Sequence, residues 1–152
     1  MAEISLARNA AHAILLAIEA GLGHADDLLR DDPLMADLPE ADRRLTTALV
    51  LGVLRWQIQL DERIRGALTK PKAKLDPAVL IALRLGAFQL LHLDRIPAHA
   101  AINESVELTK RARLRSATGL VNAVLRKINN QHCHPERSPA ARGFAQDDSA
   151  DC

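Results

Sequence analysis

The sequence predicts an all-α fold, a helical bundle of about seven helices. Apolar residues recur at helical spacing in segment after segment, and no stretch shows the sustained alternation that is typical of strands. The apolar side chains are mostly aliphatic, with no Tyr and only three aromatic residues, and this favours helix packing over sheets. A chain of 152 residues that is 48% hydrophobic can bury one core but has no room for a second, catalytic domain.

The first half of the chain contains three predicted helical regions. Residues 4–20 form the first, and Gly21 and Gly23 follow it as stop signals. A short acidic helix at residues 25–30 ends before Pro33, and residues 31–39 are expected to form a loop. A long helix starts at Glu40 and continues to Leu68 after a bend. The apolar positions of the first helix are Ile4, Ala7, Ala11, Ile14, Leu15 and Ile18.

Three further helices are predicted in the second half. Asp76 and Pro77 end a linker at residues 69–77 and have the order of an N-cap and a first-turn residue. The helix that follows contains Gly86, which leaves room for a close helix neighbour. Pro97 opens the next helix, which runs to about residue 111, and a polar connector leads to the segment GLVNAVLRKI at residues 119–128. The apolar face of the helix after Pro77 comprises Val79, Leu80, Leu83, Ala87, Leu90 and Leu91.

We expect one domain at residues 1–130, followed by a disordered tail at residues 131–152. The tail lacks periodicity, which suggests either a frameshifted or read-through end or a genuine short protein. It contains both cysteines, Cys133 and Cys152, so neither is expected to form a disulfide that cross-links the core. The adjacent residues HCH cannot readily close on one ion, and no metal site is predicted. With no leader-like or membrane-spanning apolar run, the expected location is the cytoplasm.

Charge is distributed unevenly along the chain. Residues 1–69 contain 7 Lys and Arg against 11 Asp and Glu, a balance of −4. Residues 70–130 contain 11 against 4, a balance of +7, and the tail has 2 against 4, a balance of −2. The basic half indicates a polyanionic partner, although the net charge of the whole chain is only +1.

The basic residues that could contact phosphates form a cluster that continues onto the last helix. With so few aromatic residues, base stacking cannot be the main mode of recognition, so RNA binding would rest on phosphate, 2′-hydroxyl and polar edge contacts. The alternative is a solvated linker whose cations are favoured by the helix dipole. The predicted cluster comprises Lys110, Arg111, Arg113, Arg115, Arg126 and Lys127.

Asn103 and Glu104 lie in the middle of a predicted helix, where half-buried polar groups need partners. The candidates are Asn122 or Arg126 from the last helix, or Arg55 from the long one. In GLVNAVLRKI, Asn122 and Arg126 fall opposite the apolar stripe. We therefore predict a helix-packing network of Arg55, Asn103, Glu104 and Asn122, with Arg126 left for a ligand or for Glu104.

No catalytic residues are predicted. Neither His92 nor His99 has a Ser, Cys or paired carboxylate at a catalytic spacing. No glycine-rich loop follows a strand, so no nucleotide or methyl-donor pocket is indicated. The sequence therefore predicts a non-catalytic domain without cofactor or metal.

Four segments together resemble a known domain: ARNAAHAILLAIE, ALVLGVLRWQIQLD, RLGAFQLLHLDRIPAHAAINESVELTK and GLVNAVLRKI. They are similar to the NusB-like domain at the N-terminus of the RsmB (Sun) family of 16S ribosomal RNA cytosine-C5 methyltransferases. The resemblance implies an RNA-binding bundle that helps a catalytic module engage ribosomal RNA. That module binds S-adenosylmethionine and uses a cysteine nucleophile, but Cys133 and Cys152 match none of its motifs.

Transcription antitermination factors of the NusB type share the implied fold and are the alternative. Gln89, Arg126 and the segment GLVNAVLR resemble the methyltransferase version more closely. Arg8 lies near the position where the antitermination factor presents RNA-binding arginines, and we add it to the predicted RNA-binding set. The partners implied are ribosomal RNA and either a ribosomal protein or a separate methyltransferase module. A pure protein-protein adaptor is the third possibility.

Overall fold

The computed structural model describes residues 5–72 and 74–133, and this part of the chain is all-α, as the sequence predicts. It contains eight α-helices, no strands, and one short 3-10 helix at Arg115–Ala117. The helices are α1 (Leu6–Glu19), α2 (Ala25–Asp31), α3 (Pro33–Ala36), α4 (Glu40–Arg55), α5 (Gln57–Ala67), α6 (Pro77–His92), α7 (Ala98–Arg111) and α8 (Thr118–Cys133).

The helix boundaries follow the sequence signals closely, and two differences lie in the first half of the chain. The predicted loop at residues 31–39 contains α3, because the Asp32 carboxylate accepts a hydrogen bond from the Leu34 amide at 2.8 Å and Pro33 occupies the first helical position. The predicted long helix is divided at Trp56, whose backbone angles (φ −104°, ψ 16°) separate α4 from α5. The predicted Asp76 cap is confirmed, since its side chain accepts from the Ala78 amide at 3.0 Å.

Helix α6 forms the centre of the bundle. Residues 81–90 are all buried, and α6 packs against α1, α4, α5, α7 and α8. The sequence predicted one buried face, but a helix that is apolar nearly all round is buried on all sides. The acidic half of the chain supplies α2, which packs beside α1 and α4, and α3, which packs against α2.

Two buried polar side chains on or beside α6 are satisfied by neighbouring helices. The Arg84 guanidinium donates to both carboxylate oxygens of Asp61 on α5, at 2.8 and 2.9 Å, and to Glu19 of α1 at 3.3 Å. His12 of α1 lies 3.0 Å from the carbonyl oxygen of Ala78, and burial lowers the pKa of its imidazole. These contacts fix α6 against α1 and α5 because a buried polar group left unpaired would be costly.

Gly86 is the point of closest approach between α6 and the α7–α8 pair. A methyl group added there would lie 2.6 Å from Cδ1 of Leu125 and 2.7 Å from Oγ of Ser105. The close neighbour predicted from this glycine is therefore confirmed. In contrast, a methyl group added at Gly66 of α5 would meet nothing within 4 Å.

These two glycines make a matched pair for a stability test. We expect Gly86→Ala to lower the free energy of unfolding by about 1–3 kcal/mol, because it overpacks the contact with α7 and α8. Gly66→Ala should raise it by about 0.5 kcal/mol, since alanine is the better helix former in open space. Urea denaturation of the two variants measures both changes. Equal effects of the same sign would contradict the packing at Gly86.

Candidate nucleic-acid interface

A buried ion pair joins α1 to α7. Arg8, only 8% exposed, contacts the Glu104 carboxylate at 3.0 Å and donates through Nε to the Gln89 side-chain oxygen at 2.5 Å. Glu104 also accepts from the backbone amide of Ser5 at 2.6 Å, and the Ser5 hydroxyl accepts from Arg8. Because a charge removed from water needs a close partner, this contact holds α1, α6 and α7 in one arrangement.

The structure corrects the predicted helix-packing network. Glu104 pairs with Arg8 rather than with Arg55, Asn122 or Arg126. Arg55 is exposed, and its guanidinium carbon lies 5.6 Å from the centre of the Trp56 ring. Asn103 is exposed and Asn122 is half-buried, and neither is hydrogen-bonded to Glu104 in the part of the chain that is described.

Arg8 itself is buried and paired with Glu104, so it presents little surface to an RNA ligand. We therefore remove it from the RNA-binding set. The sequence held a signal for this placement. Arg8 lies three residues before Ala11 and His12 lies three residues before Leu15 of the buried stripe, so the face of α1 that enters the core carries both side chains.

The turn between α7 and α8 carries a group of exposed cations. We call Lys110, Arg111, Arg113 and Arg115 the basic turn, and all four are exposed. Lys110 pairs with Glu107 at 3.1 Å, whereas none of the three arginines forms an ion pair within residues 5–72 and 74–133. Three guanidiniums within five residues therefore face solvent without a neutralising carboxylate.

The backbone of the basic turn is unusual at Arg113. Helix α7 ends with hydrogen bonds from the Arg113 amide to the Lys110 carbonyl, 2.9 Å, and from the Leu114 amide to the Thr109 carbonyl, 3.1 Å. This is a Schellman motif, and Arg113 occupies its left-handed position with φ 64°. Helix α1 ends in the same way with Gly21 at φ 76°. A non-glycine residue is strained there, so an arginine at this point favours a role for its side chain.

Arg126 lies at a different place from the basic turn. It lines a cleft of about 730 Å³ between the loop before α7, the first turns of α7 and the second half of α8. We call this the α7–α8 cleft, and its polar lining includes Asp94, Arg95, His99, Asn103, Arg126 and Asn130. The single basic face that the sequence predicted is thus divided between two ends of α7. Lys127 is exposed on α8 and is not part of the cleft.

The histidines show no catalytic arrangement among the described residues. The His92 ring stacks on Trp56 at 4.7 Å between centroids and lies 2.9 Å from the Gln59 side-chain oxygen. Burial, and secondarily the charge of His132, lowers the pKa of His92. His99 lines the cleft instead.

Neither a metal site nor a membrane span is found where the chain is described. In residues 5–72 and 74–133 no group of three or more His, Cys, Asp or Glu is placed to hold an ion. No helix in the same ranges is long and apolar enough to cross a bilayer. Helix α8 continues three residues past the predicted boundary at residue 130. The remainder of the predicted tail, with Cys152, lies outside the described residues.

Aliphatic helices around one buried helix, with three of the exposed arginines at one turn, define a small all-helical domain. The particular family is shown by comparison. The chain belongs to the NusB family, whose model matches residues 5–130.

Several relatives are named as ribosomal RNA methyltransferases. The chain is 34% identical over 124 residues to the probable ribosomal RNA small subunit methyltransferase B of Bacillus subtilis (strain 168), covering 82% of this chain and 28% of that protein. It is 40% identical over 107 residues to ribosomal RNA small subunit methyltransferase B of Pseudomonas putida, covering 68% of this chain and 24% of that protein. The chain thus spans less than a third of the length of these relatives.

Two further similarities are to NusB proteins. The transcription antitermination protein NusB of Marinobacter nauticus is 33% identical over 95 residues, which is 62% of this chain and 60% of that protein. The structure of T. maritima NusB superposes with a TM-score of 0.71 at 21% identity, covering 86% of this chain and 94% of that one. The latter likeness shows that the fold is that of NusB.

The strain at Arg113 can be measured by substitution. We expect Arg113→Gly to raise the free energy of unfolding by about 1 kcal/mol, because glycine adopts the left-handed conformation without a steric penalty. Gly21→Ala, at the equivalent position of α1, should lower it by about the same amount. Thermal and urea denaturation test both. A destabilised Arg113→Gly variant would show that the arginine side chain supports the fold instead of being free for a ligand.

Proposed function

We propose that this domain binds ribosomal RNA without catalysing a reaction, and that the basic turn makes the principal phosphate contacts. The observation that supports this most directly is the set of three exposed arginines, Arg111, Arg113 and Arg115, that have no carboxylate partner in the described structure. The strained backbone at Arg113 adds to it, since an arginine is present where glycine would be more stable. Family membership and the names of the methyltransferase relatives agree with an RNA ligand.

The mode of binding follows from the side chains available. Trp56 and Phe88 lie against His92, away from the basic turn, so no aromatic platform for bases adjoins that turn in the described structure. Guanidinium groups bind phosphate through charge-assisted, bidentate hydrogen bonds. Binding at the turn should therefore depend strongly on salt and weakly on base sequence. Lys127 is exposed in the second half of α8 and is not part of the basic turn.

The small subunit ribosomal RNA is the substrate class that the relatives suggest. In this proposal the domain brings RNA to methyltransferase chemistry carried out elsewhere, either in a separate module or in another part of a longer protein. No catalytic residue, cofactor or metal is assigned to this domain.

Charge reversal at the basic turn tests the proposal. We expect the double variant Arg113→Glu and Arg115→Glu to bind a small subunit ribosomal RNA fragment at least about tenfold more weakly at low salt. The slope of log affinity against log salt should fall by about 1.4, at about 0.7 for each phosphate of a single strand that the variant no longer neutralises. Fluorescence anisotropy over a salt series measures both quantities.

The matched control reverses two exposed arginines on other helices, Arg44 of α4 and Arg65 of α5, and so makes the same change in net charge. It should keep most of the affinity. If both double variants lose affinity equally, binding follows net charge and not the basic turn. If the Arg113 and Arg115 variant binds as tightly as the unaltered protein, the proposal is wrong. Arg113→Gly adds a variant whose weaker binding could not be ascribed to unfolding.

A second candidate function is that of a NusB-type antitermination factor, which would bind a ribosomal protein as well as RNA. The similarity to the Marinobacter nauticus protein supports it. So does an apolar surface at the α4–α5 junction, where Leu51, Trp56 and Ile58 are 44%, 37% and 80% exposed. This function predicts that a ribosomal protein co-purifies with the unaltered protein but not with the Ile58→Ser variant. That result would favour it over the methyltransferase-associated function.

A further inference from the structure

We propose that the α7–α8 cleft binds an unpaired nucleotide of the RNA strand whose backbone lies on the basic turn. This inference rests on the proposed function and deepens it. The basic turn would supply affinity that is indifferent to sequence, and the cleft would distinguish single-stranded from paired RNA.

The size of the cleft suits one or two nucleotides. Its volume of about 730 Å³ is in the range of sites that enclose small organic ligands. Its lining combines an apolar part, Ile96 and Ile102, with polar side chains around it. An unpaired base can be turned into such a concavity, whereas a duplex keeps its bases stacked inside and presents a convex surface.

The charges in the cleft fit a phosphodiester. Arg95 and Arg126 are exposed and have no ion-pair partner in the described part of the chain, and one carboxylate, Asp94, shares the cleft with them. Two cations and one anion leave a single positive charge, which matches the single negative charge of a phosphate within a nucleic-acid strand. A free phosphate monoester carries more negative charge and would meet the Asp94 carboxylate without full compensation.

The amides in the cleft can read the edge of a base. Asn103 and Asn130 each offer a donor and an acceptor, and His99, one helical turn before Asn103, offers an imidazole ring. An Asp or Asn side chain can also accept from a 2′-hydroxyl or an exocyclic amine. Recognition of single-stranded RNA commonly uses these polar contacts to unstacked bases.

The two sites are close enough for one strand. Asn103 and Lys110 are seven residues apart on α7, which corresponds to about 10 Å along the helix axis. A strand that follows α7 from the basic turn would therefore reach the cleft within a few nucleotides. Because Glu104 pairs with Arg8, Arg126 is not its partner. Its position in the cleft allows Arg126 to bind a phosphate of the RNA strand instead.

The test compares a single-stranded RNA with a blunt RNA duplex of the same length, both titrated into the full chain at low salt. We expect Asn103→Ala and Arg126→Ala each to weaken single-strand binding by about tenfold, and to leave duplex binding within about twofold. Arg44→Ala should change neither affinity. Both cleft residues are exposed, so we expect each variant to keep its helical content, which circular dichroism measures.

A second measurement separates a nucleotide within a strand from a free nucleotide. Amide signals of His99 and Asn103 are followed by NMR during titration with the dinucleotide CpC, with cytidine 5′-monophosphate, and with inorganic phosphate. We expect the dinucleotide to shift these signals at the lowest concentration. A cleft that responds to the monophosphate or phosphate at lower concentration than to CpC would overturn the proposal in favour of a free-anion site.

The failures of the two proposals are distinguishable. If the cleft variants weaken single-strand and duplex binding equally, or weaken neither, the cleft inference is wrong. If the Arg113 and Arg115 double variant still loses affinity for both RNAs in the same experiment, the proposed function is supported even though the cleft inference is wrong. If that variant binds both RNAs normally, the proposed function itself fails.

Discussion

The buried charge of Arg8 is the constraint on which the arrangement of the bundle depends. A guanidinium that is removed from water must be neutralised and hydrogen-bonded, and Glu104, Gln89 and the Ser5 hydroxyl together meet this need. Glu104 is on α7 and Gln89 is on α6, so satisfying one side chain of α1 fixes the positions of two other helices. Arg84, in the middle of α6, is paired with Asp61 of α5 and Glu19 of α1 and fixes α6 against those two helices in the same way.

The same constraint decides which side chains of α7 reach solvent. Successive residues of a helix point about 100° apart, so an inward Glu104 turns Asn103 towards the α7–α8 cleft. His99, four residues earlier, lies on the same stripe as Asn103. Because the ion pair fixes the whole of α7, it also fixes the position of its C-terminal end. The strained turn at Arg113 then leads the chain into α8 and leaves the arginines of the turn exposed to solvent. The interior ion pair and the exposed basic turn are thus linked through one helix.

Much of this fold could be predicted from the sequence because helix periodicity and capping are local signals. The Asp76 cap and the close contact at Gly86 are examples. The break at Trp56 was less visible, since the apolar spacing of α4 continues into α5. The partner of Glu104 could not be predicted, because several cations lay at suitable positions in the sequence. Arg8 and Glu104 are also separated by most of the length of the chain, so no local pattern connects them. The cleft was missed for the same reason: it is assembled from a loop and two helices.

The most direct test of the central claim is a double-mutant cycle at the buried pair, with the free energy of unfolding measured in urea. Arg8→Met and Glu104→Leu should each lower it by about 3 kcal/mol, because each leaves one buried charge unpaired. The double variant, which removes both charges, should lose much less than the two losses added together, with a coupling energy of more than about 1.5 kcal/mol. Additive losses would contradict the account, since they would mean that the two side chains contribute to the bundle independently.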